Sequence, residues 1–495
     1  MIRLILSFVL MFSTLYSFSQ KQDRIWVFGD HGGIDFNDTS NVSSFYSGLN
    51  GTQVKYSCAS IAGQAGQLLF AVASNQLSLQ GTQVFDRNFN LLLGGDSLEG
   101  HPAQSQGLLI LPIPNDSNRY YIFHKTQYNS KNNLYYSIVD MSLNSGLGEL
   151  VVKNIQIPCD SITQRTTAVK HANGRDWWLI QQRWDEDEYL KFLITPNGIL
   201  GPYKQSTGNL KPKEEFYGTS CFSRSGNKLV SVGLYGNINL MNFDRCTGDI
   251  YNYQQIGPGI ASHAYGYLGC AFSANENVLY VANTFPDGKY VYQFDLTAPD
   301  IKASEQVVYY YPDTGLLQNI QIAHLLLGPD DKIYVSKGNG SGPNSNTVYT
   351  QNIDAILNPD VIGQGCNYHS NYLYLNGGRT TYGLPNMVNY NLGPEIGSIC
   401  DSLSTSLPNY QNKSHELVIS PNPAADKITF HSQKNLITGI PLQISVFSSE
   451  GRKVLERELL PNEFSVSISE LENGFYVILV NSTKHTFVSK FVVSQ

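Results

Sequence analysis

The chain is poor in charge. Only 15% of its 495 residues are Asp, Glu, Lys or Arg, against roughly 25% in an ordinary soluble domain. Its 33 basic residues are outnumbered by 40 acidic ones, giving a formal net charge of −7. No basic stripe is present to neutralise phosphates, which excludes nucleic acid as a partner class. Beyond the first twenty residues, no apolar run approaches the ~20 residues that a membrane-spanning helix needs. The sequence also lacks a C-x-x-C pair, H-E-x-x-H, and, in a supporting context, a G-x-S-x-G elbow, a phosphate-binding loop or a dinucleotide fingerprint. No catalytic, cofactor-binding or metal-ligating residue is therefore assigned, and the balance leans away from an enzyme.

What the chain has instead is 31 Tyr, 43 Gly and abundant Asn and Ser. This composition suits short strands joined by polar turns, with aromatic side chains packing between sheets. The opening "MIRLILSFVLMFSTLYSFSQ" has Arg3, an apolar run from Leu4 to Phe12, and small residues at Ser17 and Ser19. That is the pattern of a secretory signal peptide over 1–19, read by the Sec pathway. Export places the seven cysteines (58, 159, 221, 246, 270, 366 and 400) in an oxidising compartment. An odd count leaves at least one without an intramolecular partner. Cys58, Cys221 and Cys270 read as small buried hydrophobes at strand ends. Cys366–Cys400 is the expected bridge.

A repeat runs through the first 390 residues. "CFSRSGNKLVSVGLYGNINLMNFDR", "CAFSANENVLYVANTFPDGKYVYQFDL" and "LLLGPDDKIYVSKGNGSGPNSNTVYTQNID" share one plan. A strand, a polar turn, a second strand and a third strand end in an apolar residue followed by Asp. The closing residue recurs at Asp35, Asp86, Asp140, Thr195, Asp244, Asp295 and Asp354, at intervals of 49 to 59 residues. A four-stranded antiparallel blade with its turns has about that length. Seven markers predict a seven-bladed β-propeller over 24–392. The carboxylates are expected to cap turns by accepting backbone N–H groups. The first marker follows only one strand, "RIWVF". The orphan segment 381–390, "TYGLPNMVNY", is therefore expected to supply the innermost strand of that blade and close the ring.

These segments resemble a known family. "IWVFGDHGGIDFN", "CASIAGQAGQLLF", "LGCAFSANENVLYVAN", "LLLGPDDKIYVS" and "GLPNMV" are similar to exported β-propeller proteins of bacteria that have a type IX secretion system. The turn "GPDDKIYVS" is also similar to lactonase-like and other seven-bladed propellers. It speaks for the fold more than for an activity. The tail, "ISPNPAADKITF", "ISVFSSEGRKVLE", "LENGFYVILV" and "FVSKFVVSQ", resembles the type A sorting domain of that system. The matching positions are Pro421, Asn422, Pro423, Gly451, Gly474, Tyr476 and Lys490. The resemblance implies that 417–495 is an address read by the type IX machinery. It also implies that the mature protein is attached to surface lipopolysaccharide or released. Alternating strands separated by Gly, Asn or Pro independently predict a small Ig-like sandwich there. The polar stretch 401–416 reads as a linker.

Within the propeller, few residues point to chemistry. The ten histidines are scattered. His324, in "IQIAHLLLG", is either a packed strand residue or one that reaches the axial channel. His31, in "GDHGG", reads as a turn residue. The acidic run Asp185 to Glu188 lacks the alternation of a calcium loop and reads as a solvated hairpin tip. Trp177 and Trp178 alternate to opposite faces, so at least one is expected to offer an exposed stacking surface. The leading expectation is an exported binding or adhesive platform for a protein or glycan. The alternative is a lactonase- or hydrolase-like enzyme with its site at the channel mouth.

Overall fold

The computed structural model describes residues 21–49, 54–75, 81–128, 131–159, 161–209, 217–258, 266–285, 289–312, 320–339, 349–401, 417–432, 441–448, 453–481 and 486–494. The leader expected at 1–19, nearly all of the linker expected at 401–416, and Gly451 lie outside them. The chain divides into two compact units, Met1–Thr405 and Ser406–Gln495.

The first unit is a ring of seven antiparallel blades. Four-stranded ladders run in sequence order in the fifth, sixth and seventh blades, whose innermost strands are Gly218–Phe222, Gly266–Phe272 and Ile320–Leu327. The third and fourth blades begin at Leu108–Pro112 and Ile162–Lys170. One pair, Ile162 opposite Asn132, joins their ladders at the edge. The second blade begins at Val54–Ala62 and has three strands. Its outer edge is an irregular return that bridges at Leu91 and Leu98. The first blade has the ladder Ile25–Phe28, Gly32–Asp35, Ser43–Tyr46.

Turn chemistry explains the repeat. Asp35, Asp86, Asp140, Asp244 and Asp295 accept backbone N–H groups two residues on at 2.7–2.9 Å, and Thr195 does so at 3.1 Å. Asp354 departs from the expectation. It is fully buried and accepts from Lys337 Nζ, from the hydroxyls of Tyr311 and Tyr368 at 2.6 Å each, and from Asn371 N–H at 2.7 Å. It ties two strands of the seventh blade to Tyr311, just after the outer strand of the sixth, instead of capping a turn.

Blades stack through apolar side chains on both faces. Trp26 of the first blade packs on Phe36 and, across the ring closure, on Tyr334 of the seventh, at 4.6 and 5.5 Å between ring centroids. Phe70 meets Tyr120 between the second and third blades at 5.7 Å. The expected exposed tryptophan is absent. Trp177 and Trp178 are 1% and 5% exposed. Alternation does send them to opposite faces, but in a propeller a neighbouring blade covers each face. Lys170 Nζ lies 4.1 Å over the Trp177 ring, and Trp178 Nε1 donates to Arg245 O.

Among the described residues, the second unit is a sandwich of seven strands. One sheet runs Leu417–Ser420, Lys427–Ser432, Ser465–Ser467. The other runs Lys453–Leu459, Leu442–Ser448, Gly474–Asn481, Thr486–Val493. Ile428, Phe430, Ile444, Val446, Ile478 and Val480 form its dry centre.

Candidate functional site: the axial channel

The segment 379–393 fills the centre of the ring, but not as the strand expected over 381–390. No strand is formed there, and the ladder-like bridges among the described residues are those of Arg379 with Asp30 and His31, the first reinforced by an ion pair at 2.6 Å. Three local features prevent a ladder. Tyr382 has φ 91°, far from extended backbone. Pro385 has no N–H to donate. Gly383 lies so close to Tyr56 that an added Cβ would sit 2.1 Å from its carbonyl oxygen.

The kinked segment works as an axial staple. Gly383 N–H donates to Lys55 O of the second blade at 2.9 Å. Tyr382 O accepts His324 N–H of the seventh at 3.4 Å. Asn386 is the hub. Its side-chain amide donates to Leu108 O of the third blade and Thr166 O of the fourth, both at 2.9 Å, and its backbone N–H donates to Cys58 O of the second at 3.0 Å. Asn389 donates to Arg224 O of the fifth, and Tyr382 packs on Leu268 of the sixth. Every blade is touched.

The staple also sets the disulfide. After Gly393, whose carbonyl accepts from Arg245 Nη2 at 2.6 Å, the chain passes over the fourth and fifth blades. Cys400 then bonds Cys246, not Cys366 as expected. Cys366 is 1% exposed in the seventh blade, packed among Tyr280, Ile322 and Val335.

Beside the staple lies a cavity of about 690 Å³. Its walls come from the first, fourth, fifth, sixth and seventh blades and from 384–393. Much of the wall is apolar: Val169, Phe222, Ala271, Leu325, Met387 and Leu392. His324 lines it. Its Nδ1 accepts Leu384 N–H at 3.3 Å, and its buried Nε2 has no partner among the described residues. Burial holds this imidazole down at about 4, so it is neutral at physiological pH. Cys221 and Cys270 also line the cavity, with sulfurs 3.7 Å apart. Burial pushes the Cys270 thiol up, but hydrogen bonds from Cys221 and Thr219 and the Arg165 charge outweigh this and hold it below its usual value. The charges that line it are engaged: Arg224 with Asp331, Arg24 with Asp23 at 3.8 Å, and Glu276 with Ser225 Oγ at 2.8 Å.

The remaining candidates fall elsewhere. His31 has φ 57°, stacks on Tyr46 and hydrogen-bonds Ser47 O at 2.7 Å, as a turn residue. In the acidic run, Glu186 and Glu188 pair with Arg183 at 3.1 and 3.4 Å. Among the described residues, no group of three or more His, Cys, Asp or Glu is placed to hold a metal ion. In the sandwich, Asn422 donates to Lys490 O and accepts Val492 N–H, at 3.3 and 2.9 Å. Gly474 lies opposite Val493 and Tyr476 opposite Phe491. Pro421, Asn422, Pro423, Gly474, Tyr476 and Lys490 thus gather around the last strand.

Two buried histidines make stability depend on pH. His124, bonded to Glu99 O and Ser137 Oγ, is held by burial at about 4, like His324. Each folded value lies below the ordinary ~6.5, so the unfolded chain binds more protons between the two. Their stabilising effect is complete above pH ~6.5 and is lost as pH falls through about 4, roughly 3 kcal/mol each at most. Thermal melts between pH 7.5 and 4 should show this fall, and His324→Leu should lessen it. An unchanged melting temperature down to pH 4 would refute it.

The class of the protein follows from the two units: a seven-bladed propeller joined to an Ig-like sandwich. Residues 418–494 match the family model of the secretion system C-terminal sorting domain. The chain is a β-propeller protein with a type IX sorting domain, which implies interaction with the type IX machinery and export to the cell surface or extracellular space. No curated protein matches the chain. Among solved structures, it is similar to a Bacteroides fragilis protein assigned as a candidate 6-phosphogluconolactonase. Identity is 13%, covering 73% of this chain and 98% of that one, with a TM-score of 0.47. It is also similar to the periplasmic gluconolactonase PpgL of Pseudomonas aeruginosa at 10% identity, covering 79% and 95%, with a TM-score of 0.37. The Dos1 propeller is similar at 10%, covering 72% and 76%, also with a TM-score of 0.37. Likeness at this level says nothing about activity, and the blade count rests on the ladders described above.

Proposed function

We propose that the protein is an exported binding platform, adhesive or scaffolding, which presents the outer surface of a closed propeller to a protein or glycan. The observation that carries this reading is the staple. The protein's own chain runs through the centre of the ring and touches every blade, with Asn386 bonded to three of them. Such a ring is a rigid support for its rim. The sandwich then serves as the address, with Pro421, Asn422, Pro423, Gly451, Gly474, Tyr476 and Lys490 as its recognition residues. After processing, the propeller is carried on surface lipopolysaccharide or released.

Two experiments test the reading. Deleting 417–495 should leave the propeller folded, because the sandwich has its own core. The truncated chain should stay inside the outer membrane, as cell fractionation would reveal. Normal surface display would sink the assignment of the address. The secreted protein should also be retained on a glycan or on envelope proteins, and give no turnover on ester, lactone and glycoside panels. Robust turnover abolished by His324→Ala would replace the platform with an enzyme sited at the channel.

A further inference from the structure

The cavity beside the staple has features that a structural void lacks. Its volume of about 690 Å³ falls in the ~300–1,000 Å³ range of small-molecule sites. Its wall includes two buried donors without a hydrogen-bond partner among the described residues: Arg24 Nε, which lies 3.8 Å from the Asp23 carboxylate, and the neutral His324 Nε2. Because His324 Nδ1 accepts the Leu384 N–H, the neutral ring carries its proton on Nε2. That Nε2–H is buried and unpartnered. An unpaired buried donor is unfavourable unless something supplies an acceptor.

We propose that the cavity binds a small, uncharged organic molecule with an apolar body and one hydrogen-bond acceptor, which the Nε2–H of His324 recognises. The walls fix the class. Val169, Phe222, Ala271, Leu325, Met387 and Leu392 favour an aliphatic or aromatic body. The paired thiols Cys221 and Cys270 add a soft, weakly polar surface. The rim charges already have partners, so a charged group carried inward would be desolvated without compensation. A ketone, ester or ether oxygen suits the neutral Nε2–H of His324, whereas a carboxylate does not, because the lining cations Arg24 and Arg224 already face Asp23 and Asp331. This site is separate from the outer rim and stands whether or not the rim binds a glycan or protein.

The full secreted protein would be titrated with the fluorescent probe N-phenyl-1-naphthylamine, which would then be displaced by 2-octanone, octanoate and 1-octene. The probe should bind one to one. Leu392→Trp and Met387→Trp, both at half-buried staple positions, should abolish binding while leaving the thermal melt intact. The ketone should displace the probe about tenfold better than the alkene, the worth of one good hydrogen bond, and octanoate should compete poorly. His324→Leu should remove the ketone preference, and His324→Gln, which keeps an N–H donor, should restore part of it. Absence of saturable probe binding, or binding unchanged in both tryptophan variants, would overturn the pocket. A ketone preference that survives in His324→Leu, or octanoate as the best competitor, would overturn the ligand class.

Discussion

A chain that ends at Thr380 is expected to aggregate, or to melt far below one that ends at Cys400. The staple buries Tyr382, Leu384, Val388 and Tyr390, each 8% exposed or less. Burying one large side chain is worth roughly 1.5–3 kcal/mol. Four of them approach the whole ~5–15 kcal/mol that keeps a domain folded. Truncation also strips hydrogen bonds from the carbonyls of Lys55, Cys58, Leu108 and Thr166, which line the channel. It removes Cys400 and with it the disulfide, whose 154-residue span places its effect near 5 kcal/mol in the loop-entropy view. Cys400→Ser in the chain ending at Cys400 keeps the staple and loses the disulfide, and so separates the two. Within the staple, Asn386→Leu should cost about 1–3 kcal/mol for each buried carbonyl left bare. Equal melting temperatures for chains ending at Thr380 and Cys400 would mean that the blades close the ring unaided.

The staple also marks where reading from sequence stops. The markers at Asp35, Asp86, Asp140, Thr195, Asp244 and Asp295 were legible because a capped turn is local: acceptor and donor are two residues apart. Their spacing alone implied seven blades. Asp354 carries the same local pattern but departs from it. Its partners Tyr311 and Lys337 come from distant positions, and nothing nearby in sequence announces them. The segment 381–390 was legible as the missing piece of the first blade, but not as a kinked insertion. The available sign was Pro385-Asn386 inside an apolar run, an imide and a polar side chain where a ladder strand would want neither. The disulfide follows from the path of the staple and was misread with it. His324 was legible only as one of two alternatives. The structure joins them: the residue is packed through Nδ1 and reaches the cavity through Nε2.

Replacing Lys337 by Met should destabilise the propeller by about 3–5 kcal/mol, the usual result of leaving one member of a buried ion pair alone. Both side chains, Lys337 and Asp354, are fully buried. Burial pulls the Lys337 ammonium below its usual range, and the Asp354 carboxylate opposes that pull. The ammonium also donates to Asn371 Oδ1 at 2.9 Å, so its loss opens two acceptors at once. Asp354→Asn should be milder, because its one amide oxygen still accepts from Lys337 and the Asn371 N–H in the place of Oδ1, while the Tyr311 and Tyr368 hydroxyls, which donate to Oδ2, must turn to accept from the amide NH2. It still leaves the lysine without a counter-charge. Exchanging both members for apolar residues of similar volume should recover much of the loss, since the pair's attraction mainly offsets its own desolvation. Denaturant midpoints of the wild type, the two single variants and Lys337→Met/Asp354→Leu would form the cycle, with a coupling well above 0.5 kcal/mol. Additive single effects would show instead that the two tyrosines and the Asn371 backbone hold Asp354 without help from Lys337.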